Sequence, residues 1–180
     1  MITRPQKDPP PSPALAGNWE VVDARSTCRF GVRDKLVTNV RGSLPVLRGE
    51  AEVSESGILR TAYVELSADG VDTGNAHRDR DLHKARFLDA ANHPTIRVQV
   101  VNATLTESGW ATRAVVGARG ASAPVDLTIG AQTANDDEVR VTAIGRLDRT
   151  PLGIKVPTLI VGRYVDLDAV LTFRRSPSTA

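Results

Sequence analysis

The residue types best suited to chemistry lie in one stretch, residues 69–94, which holds all three histidines of the chain: His77, His83 and His93. The run His77-Arg78-Asp79-Arg80-Asp81-Leu82-His83 is its densest part. On a helix, His77 and Asp81 stand four residues apart on one face, and so do Asp79 and His83. Either pair can ligate a metal ion, or join a general base to its orienting carboxylate. The same spacing also describes a solvated helical face laced with internal ion pairs, and that reading outweighs the chemical one. The sequence contains no HExxH, CxxC, GxSxG, Walker or GxGxxG pattern. The single cysteine, Cys28, rules out an intrachain disulfide. It sits in an apolar–polar alternation, which suits a small core or wall residue better than a nucleophile.

The elements that must position these groups are strands. Strict alternation of apolar and polar residues marks 96–100, 125–129, 139–143 and 165–169, and a shorter example covers 30–33. Further strand-like runs are 19–23, 39–47, 49–53, 62–67 and 110–117. Glu55-Ser56-Gly57, Glu107-Ser108-Gly109 and Asn135-Asp136-Asp137 are turn signals between them. Gly117-Ala118-Arg119-Gly120 joins two strands, so it reads as a hairpin turn and not as a phosphate cradle. This pattern predicts an all-β, antiparallel sheet, closed or sandwiched, and no βαβ rhythm is present. Residues 76–88 break the alternation and suit a short helix capped by Asn75, with Leu82, Ala85 and Leu88 on its apolar stripe. A long connection inside a β domain is often functional, and this one can lie across a barrel end as a lid.

Composition narrows the function classes. With 180 residues, 41% hydrophobic and 24% charged, the chain has the make-up of a globular domain. No run reaches the ~18 apolar residues of a membrane helix. The pI is near 9.0, but 23 basic residues against 21 acidic ones, dispersed and with 4% aromatics, do not make a nucleic-acid surface. Five prolines in residues 1–17, with no apolar h-region, predict a disordered tail rather than a secretory signal, and hence a cytoplasmic location. Residues 18–175 then form one domain. Scarce aromatics leave Val, Ala, Leu and Ile to line the interior, which favours a long cavity over a filled core.

The body also resembles the YceI-like family of polyisoprenoid-binding proteins, from about Trp19 to Phe173. The opening strands 19–26 and 30–33 are similar, and so is Val40-Arg41-Gly42-Ser43-Leu44. The most specific part is Asp72-Thr73-Gly74-Asn75, Arg78-Asp79, Leu82, Phe87-Leu88-Asp89 and His93-Pro94. Val125-Asp126-Leu127-Thr128-Ile129 and Leu152-Gly153-Ile154 follow where the family places a strand and a glycine loop. The chain departs from the family pattern at Asp34, Leu88 and Leu152, and Gly117 to Val125 resembles the family's glycine-containing strand pair only loosely.

The resemblance implies a lipocalin-like antiparallel β-barrel with a short helical insertion. It implies a non-enzymatic carrier, without cofactor or metal, of a long apolar ligand such as an isoprenoid quinone or polyprenyl lipid. Alternation within that fold nominates Phe30, Val32, Leu44, Leu66, Phe87, Leu88, Ile96, Val98, Val100, Val125, Leu127 and Ile129 as tunnel lining, with a further contribution from the last strand. The alternative is a metal-dependent or acid–base enzyme using the His/Asp cluster. The resemblance also implies a homodimer. Val101, Ile144 and Val170 lie on what should be outer faces, where a shared patch would mark an interface.

Overall fold

The computed structural model describes residues 15–34, 39–154 and 161–177. Among these, ten strands follow one another: β1 (Gly17–Val21), β2 (Thr27–Asp34), β3 (Asn39–Leu44), β4 (Val46–Val53), β5 (Leu59–Ser67), β6 (Thr95–Thr106), β7 (Gly109–Ala118), β8 (Ala121–Asn135), β9 (Glu138–Asp148) and β10 (Val161–Arg175). One helix, α1 (Ala76–Leu82), stands between β5 and β6. Every strand pairing is antiparallel. The order β1-β4-β5-β6-β7-β8-β9-β10 returns to β1 through Trp19↔Arg175 and Val21↔Phe173, which closes an eight-strand barrel.

β10 makes this closure possible. One edge pairs with β9 from Tyr164↔Asp148 to Arg174↔Glu138. The other edge takes β1 at its C-terminal end and β2 over Val165↔Val32 to Val170↔Thr27. Between β1 and β2 the chain turns through a 3₁₀ segment, Asp23–Arg25. Ser26 secures that turn: its hydroxyl donates to the Val22 carbonyl (2.8 Å) and accepts from the Thr172 amide (3.0 Å). β3 pairs with β2 and extends the wall above the ring.

Alternation divides the two faces as the period of a strand demands. On β7, Trp110, Thr112, Ala114, Val116 and Ala118 are buried, while Arg113 is exposed. On β10, Val165, Leu167, Ala169, Leu171 and Phe173 face the core, while Asp166 and Asp168 face out. The one buried hydroxyl on β7, Thr112, donates to the Leu127 carbonyl (3.1 Å). Among the described residues no helix is long and apolar enough to cross a membrane.

Local details differ from the sequence expectations for physical reasons. The run 39–47 breaks at Pro45, where the ring nitrogen has no hydrogen to donate to a ladder. The strand expected over 19–23 ends at Val21, because the 3₁₀ turn takes up Asp23–Arg25 with Val22 as its cap. The helix expected over 76–88 stops at Leu82. Asn75 caps it as predicted, its side-chain oxygen accepting from the His77 and Arg78 amides (3.1 Å each). Beyond Leu82 the Leu82 carbonyl accepts from Leu88 (2.9 Å) and Asp89 turns to φ +51°, so the chain folds back. This brings Leu88 beside Leu82 and leaves Ala85 exposed, outside the apolar stripe.

A bulge between Val100 and Asn102 accounts for the out-of-phase Val101, which is turned to solvent. Val101 and Ile144 are both exposed, but β7 and β8 separate their strands, and Ile144 is flanked by Thr128 and Asp168. Val170 is half-buried. Residues 1–14 of the expected tail lie outside the described residues. Leu15 is buried, and its carbonyl accepts from the Trp19 indole (2.9 Å).

The hairpins behave as their residues dictate. Arg119 (φ +57°) and Gly120 (φ +71°) make the two-residue β7–β8 turn, with both central residues left-handed as a type I′ turn requires. Gly109 opens β7 at φ +145°, and a side chain there would overlap the Ile129 carbonyl. Gly109→Ala should therefore destabilise the barrel by about 3 kcal/mol or more, read as a lowered urea midpoint with an unchanged m-value.

Candidate functional site

The barrel interior is not filled. In its lower half, toward the β4–β5 and β6–β7 turns, lies a cavity of about 130 Å³ whose wall is almost wholly apolar. Its cause is side-chain size. Ala51, Ala62, Ala131, Ala143 and Ala169 all line it, and Ala51↔Ala62 and Ala143↔Ala169 are direct cross-strand pairs. An upper cavity of about 360 Å³ continues toward α1. The two share Cys28, Leu66, Val98 and Leu167 as lining, so together they form one apolar tunnel with a waist.

The tunnel has unlike ends. The lower end is closed by Leu15, Trp19, Leu59, Trp110 and Phe173, all buried. At the upper end Phe30, Val40, Phe87 and Leu88 are half-buried, and Asn75 and His77 are exposed. Polar groups therefore gather toward the upper end, where the buried Arg149 also lines the wall, while the lower cavity is almost wholly apolar.

Most of the nominated residues fall on this tunnel. Phe30, Val32, Leu44, Phe87, Leu88 and Ile96 line the upper cavity, Leu66 and Val98 line both, and Val100, Leu127 and Ile129 line the lower one. Val125 lines neither: it is packed in the core opposite Ala114. Alternation did not nominate the alanines, Trp19 or Trp110, and it marked Cys28 only as a core or wall residue. It pointed to the last strand only in general, and that strand supplies Val161, Val165, Leu167, Ala169, Leu171 and Phe173. A signal was present: alanine recurs at inward positions of five different strands.

The histidine cluster does not assemble into a centre. The His77 and Asp81 side chains stand 3.7 Å apart at the rim. Asp81 is held below the usual carboxylate range, chiefly by its hydrogen bond from Lys84. Asp79 does not meet His83: its Oδ1 accepts from both the amide and the hydroxyl of Thr73. Arg78 donates to the Thr73 hydroxyl (2.8 Å) and carbonyl (3.0 Å). The Arg78-Asp79 pair thus clamps the approach to α1 and fixes the lid. The His83 Nε2 lies 2.9 Å from the Asp69 carbonyl, and His93 stands 3.9 Å from Asp89. Among the described residues, no group of three or more His, Cys, Asp or Glu side chains could hold a metal ion.

Two arginines that sequence reasoning passed over shape the mouth. Arg149 is buried and donates to the carbonyls of Gly162 (2.8 Å), Ile154 (3.0 Å) and Val161 (2.8 Å), and burial lowers its pKa. Arg119 donates to the carbonyls of Leu152, Gly153 and Ala85. It thereby ties the β7–β8 turn to the lid and to the 3₁₀ segment Thr150–Leu152.

The chain matches the YceI-like domain family over residues 19–173. Its fold is similar to that of three solved structures. The first is BcnA from Burkholderia cenocepacia, with a TM-score of 0.75 and 12% identity, covering 84% of this chain and 98% of that one. The second is a polyisoprenoid binding domain from Saccharophagus degradans implicated in plant cell wall breakdown, at 0.69 and 15%, covering 88% and 98%. The third is the Campylobacter jejuni YceI protein, at 0.64 and 15%, covering 80% and 90%. No curated protein sequence matches the chain.

Cys28 reports on the waist. Burial, with a smaller push from Asp168, raises its thiol pKa from the ordinary 9.0 to about 11. The folded protein at pH 8 should therefore hold roughly a hundredfold less thiolate than the unfolded chain. A thiol-disulfide dye should label Cys28 slowly in buffer and rapidly in denaturant. The same shift means that this thiol's contribution to stability is complete below pH 9 and is lost as pH rises through about 11.

Proposed function

The chain belongs to the YceI-like family, and on that premise we propose that it binds and carries a long apolar chain, a polyisoprenoid such as a quinone tail or polyprenyl lipid, without catalysis. The observation that carries this reading is the tunnel: mostly apolar, closed at one end, and carrying its polar groups toward the other. The polyisoprenoid binding described for the Saccharophagus degradans domain points the same way.

The energetics favour an occupant. Each methylene drawn from water into the tunnel contributes about 0.8 kcal/mol before ordering costs are deducted. Left empty, the lower cavity alone costs on the order of 3 kcal/mol at the usual rate per unit of cavity volume. A flexible hydrocarbon chain fills such a space and brings no polar group that needs a partner. Of the two His/Asp pairs that the alternative enzyme could use, Asp79 and His83 are engaged separately, and His77 and Asp81 stand together only at the exposed rim.

The direct test is to purify the protein without detergent, extract it with organic solvent and identify the lipids by mass spectrometry. A prenyl or other long-chain species near one equivalent is expected. A folded, lipid-free preparation that also takes up no added polyprenol would contradict the proposal. Cys28→Phe adds a ring where both cavities meet. It should leave the barrel folded and weaken binding of a long polyprenol by roughly a hundredfold, the loss of several buried methylenes. Titration of added polyprenol measures this.

A further inference from the structure

Both tryptophans of the chain, Trp19 and Trp110, stand at the closed end of the tunnel. They come from opposite sides of the ring and are held by their indole nitrogens. Trp19 donates to the Leu15 carbonyl (2.9 Å) and Trp110 to the Gly57 carbonyl (3.0 Å). The Arg175 guanidinium lies over the Trp19 ring at 4.4 Å and donates to the Ala16 carbonyl (2.6 Å). Trp110 follows Gly109, whose missing side chain lets β7 approach the Ile129 carbonyl. Each ring is 3% exposed, and each presents its apolar body to the lower cavity. An indole anchored by its N–H has little freedom to swing aside.

We propose that Trp19 and Trp110 form the stop of a length gauge: a linear apolar chain enters methyl end first and runs down to the two rings, and the distance from rim to rings sets the longest chain the barrel accepts. This rests on the carrier reading and adds the specificity-determining residues and the direction of the bound chain. The direction follows from the unlike ends. A polar head has no partner in the lower cavity and remains at the upper end, near Asn75, His77, Arg78 and the buried Arg149. The waist at Cys28 and Leu66 leads from the larger upper cavity to the smaller lower one, which suits the tail of the chain better than its head. Chains longer than the gauge must either double back or leave apolar carbons in water.

The tryptophans are also the reporters. Palmitic acid brominated at its methyl end, or beside its carboxylate, is loaded into the unmodified protein, and native mass spectrometry confirms that each binds. The methyl-end bromine should remove most of the tryptophan emission and the carboxylate-end bromine little of it. Equal quenching, or stronger quenching from the carboxylate end, would overturn the direction. In a second measurement the protein competes for an equimolar mixture of farnesol, geranylgeraniol and solanesol. Trp110→Ala should raise the bound ratio of solanesol to geranylgeraniol by roughly tenfold, the discrimination that a methylene or so of pocket depth provides. An unchanged ratio in a folded variant would overturn the gauge while leaving the carrier reading intact. Trp110→Leu serves if the alanine variant does not fold. Absence of binding by every probe would instead remove the carrier reading, and the gauge with it.

Discussion

Everything in this fold depends on β10 being hydrogen-bonded along both edges. A sheet can enclose a dry space only if its backbone donors and acceptors are satisfied within the wall, because an unpaired group facing an apolar interior has no water to bond. β10 accepts β9 on one side and, in succession, β1 and β2 on the other. The 3₁₀ turn at Asp23–Arg25 lets one stretch of chain serve as two partners, the first closing the ring and the second raising the wall above it. The tunnel is the space inside that ring, and its two unlike ends follow from where the closure is complete and where the wall continues without it.

Given the ring, side-chain volume decides what the interior is. Cross-strand pairs of alanine place small groups opposite each other, where a packed barrel would interdigitate large and small ones. Aromatic residues are few, and the two largest are placed at the floor. The cavity is thus a property of composition at inward positions and needs no special backbone. At the mouth, polar chemistry is used for construction: Arg78 and Asp79 hold Thr73, while Arg119 and Arg149 gather loop carbonyls. The titratable groups that first suggest acid–base work fix the lid over an apolar space.

The strands were legible because a period of two over five or more residues has no other compact solution, as 125–129 and 139–143 show. The turn at Arg119-Gly120 was legible from its glycine and its place between two strands. The length of α1 was not. Helical spacing continues on paper to Leu88, but the burial of Leu88 and the left-handed Asp89 depend on contacts with the distant barrel mouth. Alternation placed Phe30, Val98 and Ile129 on the inner face correctly but could not separate tunnel wall from packed core, so Val125 was nominated with them. The floor was missed because Trp19 and Trp110 are ninety-one positions apart, and only ring closure brings them together.

A crystal structure of the protein as purified, without detergent or added lipid, tests the central claim most directly. Continuous tubular density from the rim beside His77, through the waist at Cys28, to the Trp19 and Trp110 rings is the predicted result. Side chains collapsed across the waist, or a file of ordered water bonded along the wall, would contradict an apolar tunnel built to hold a chain.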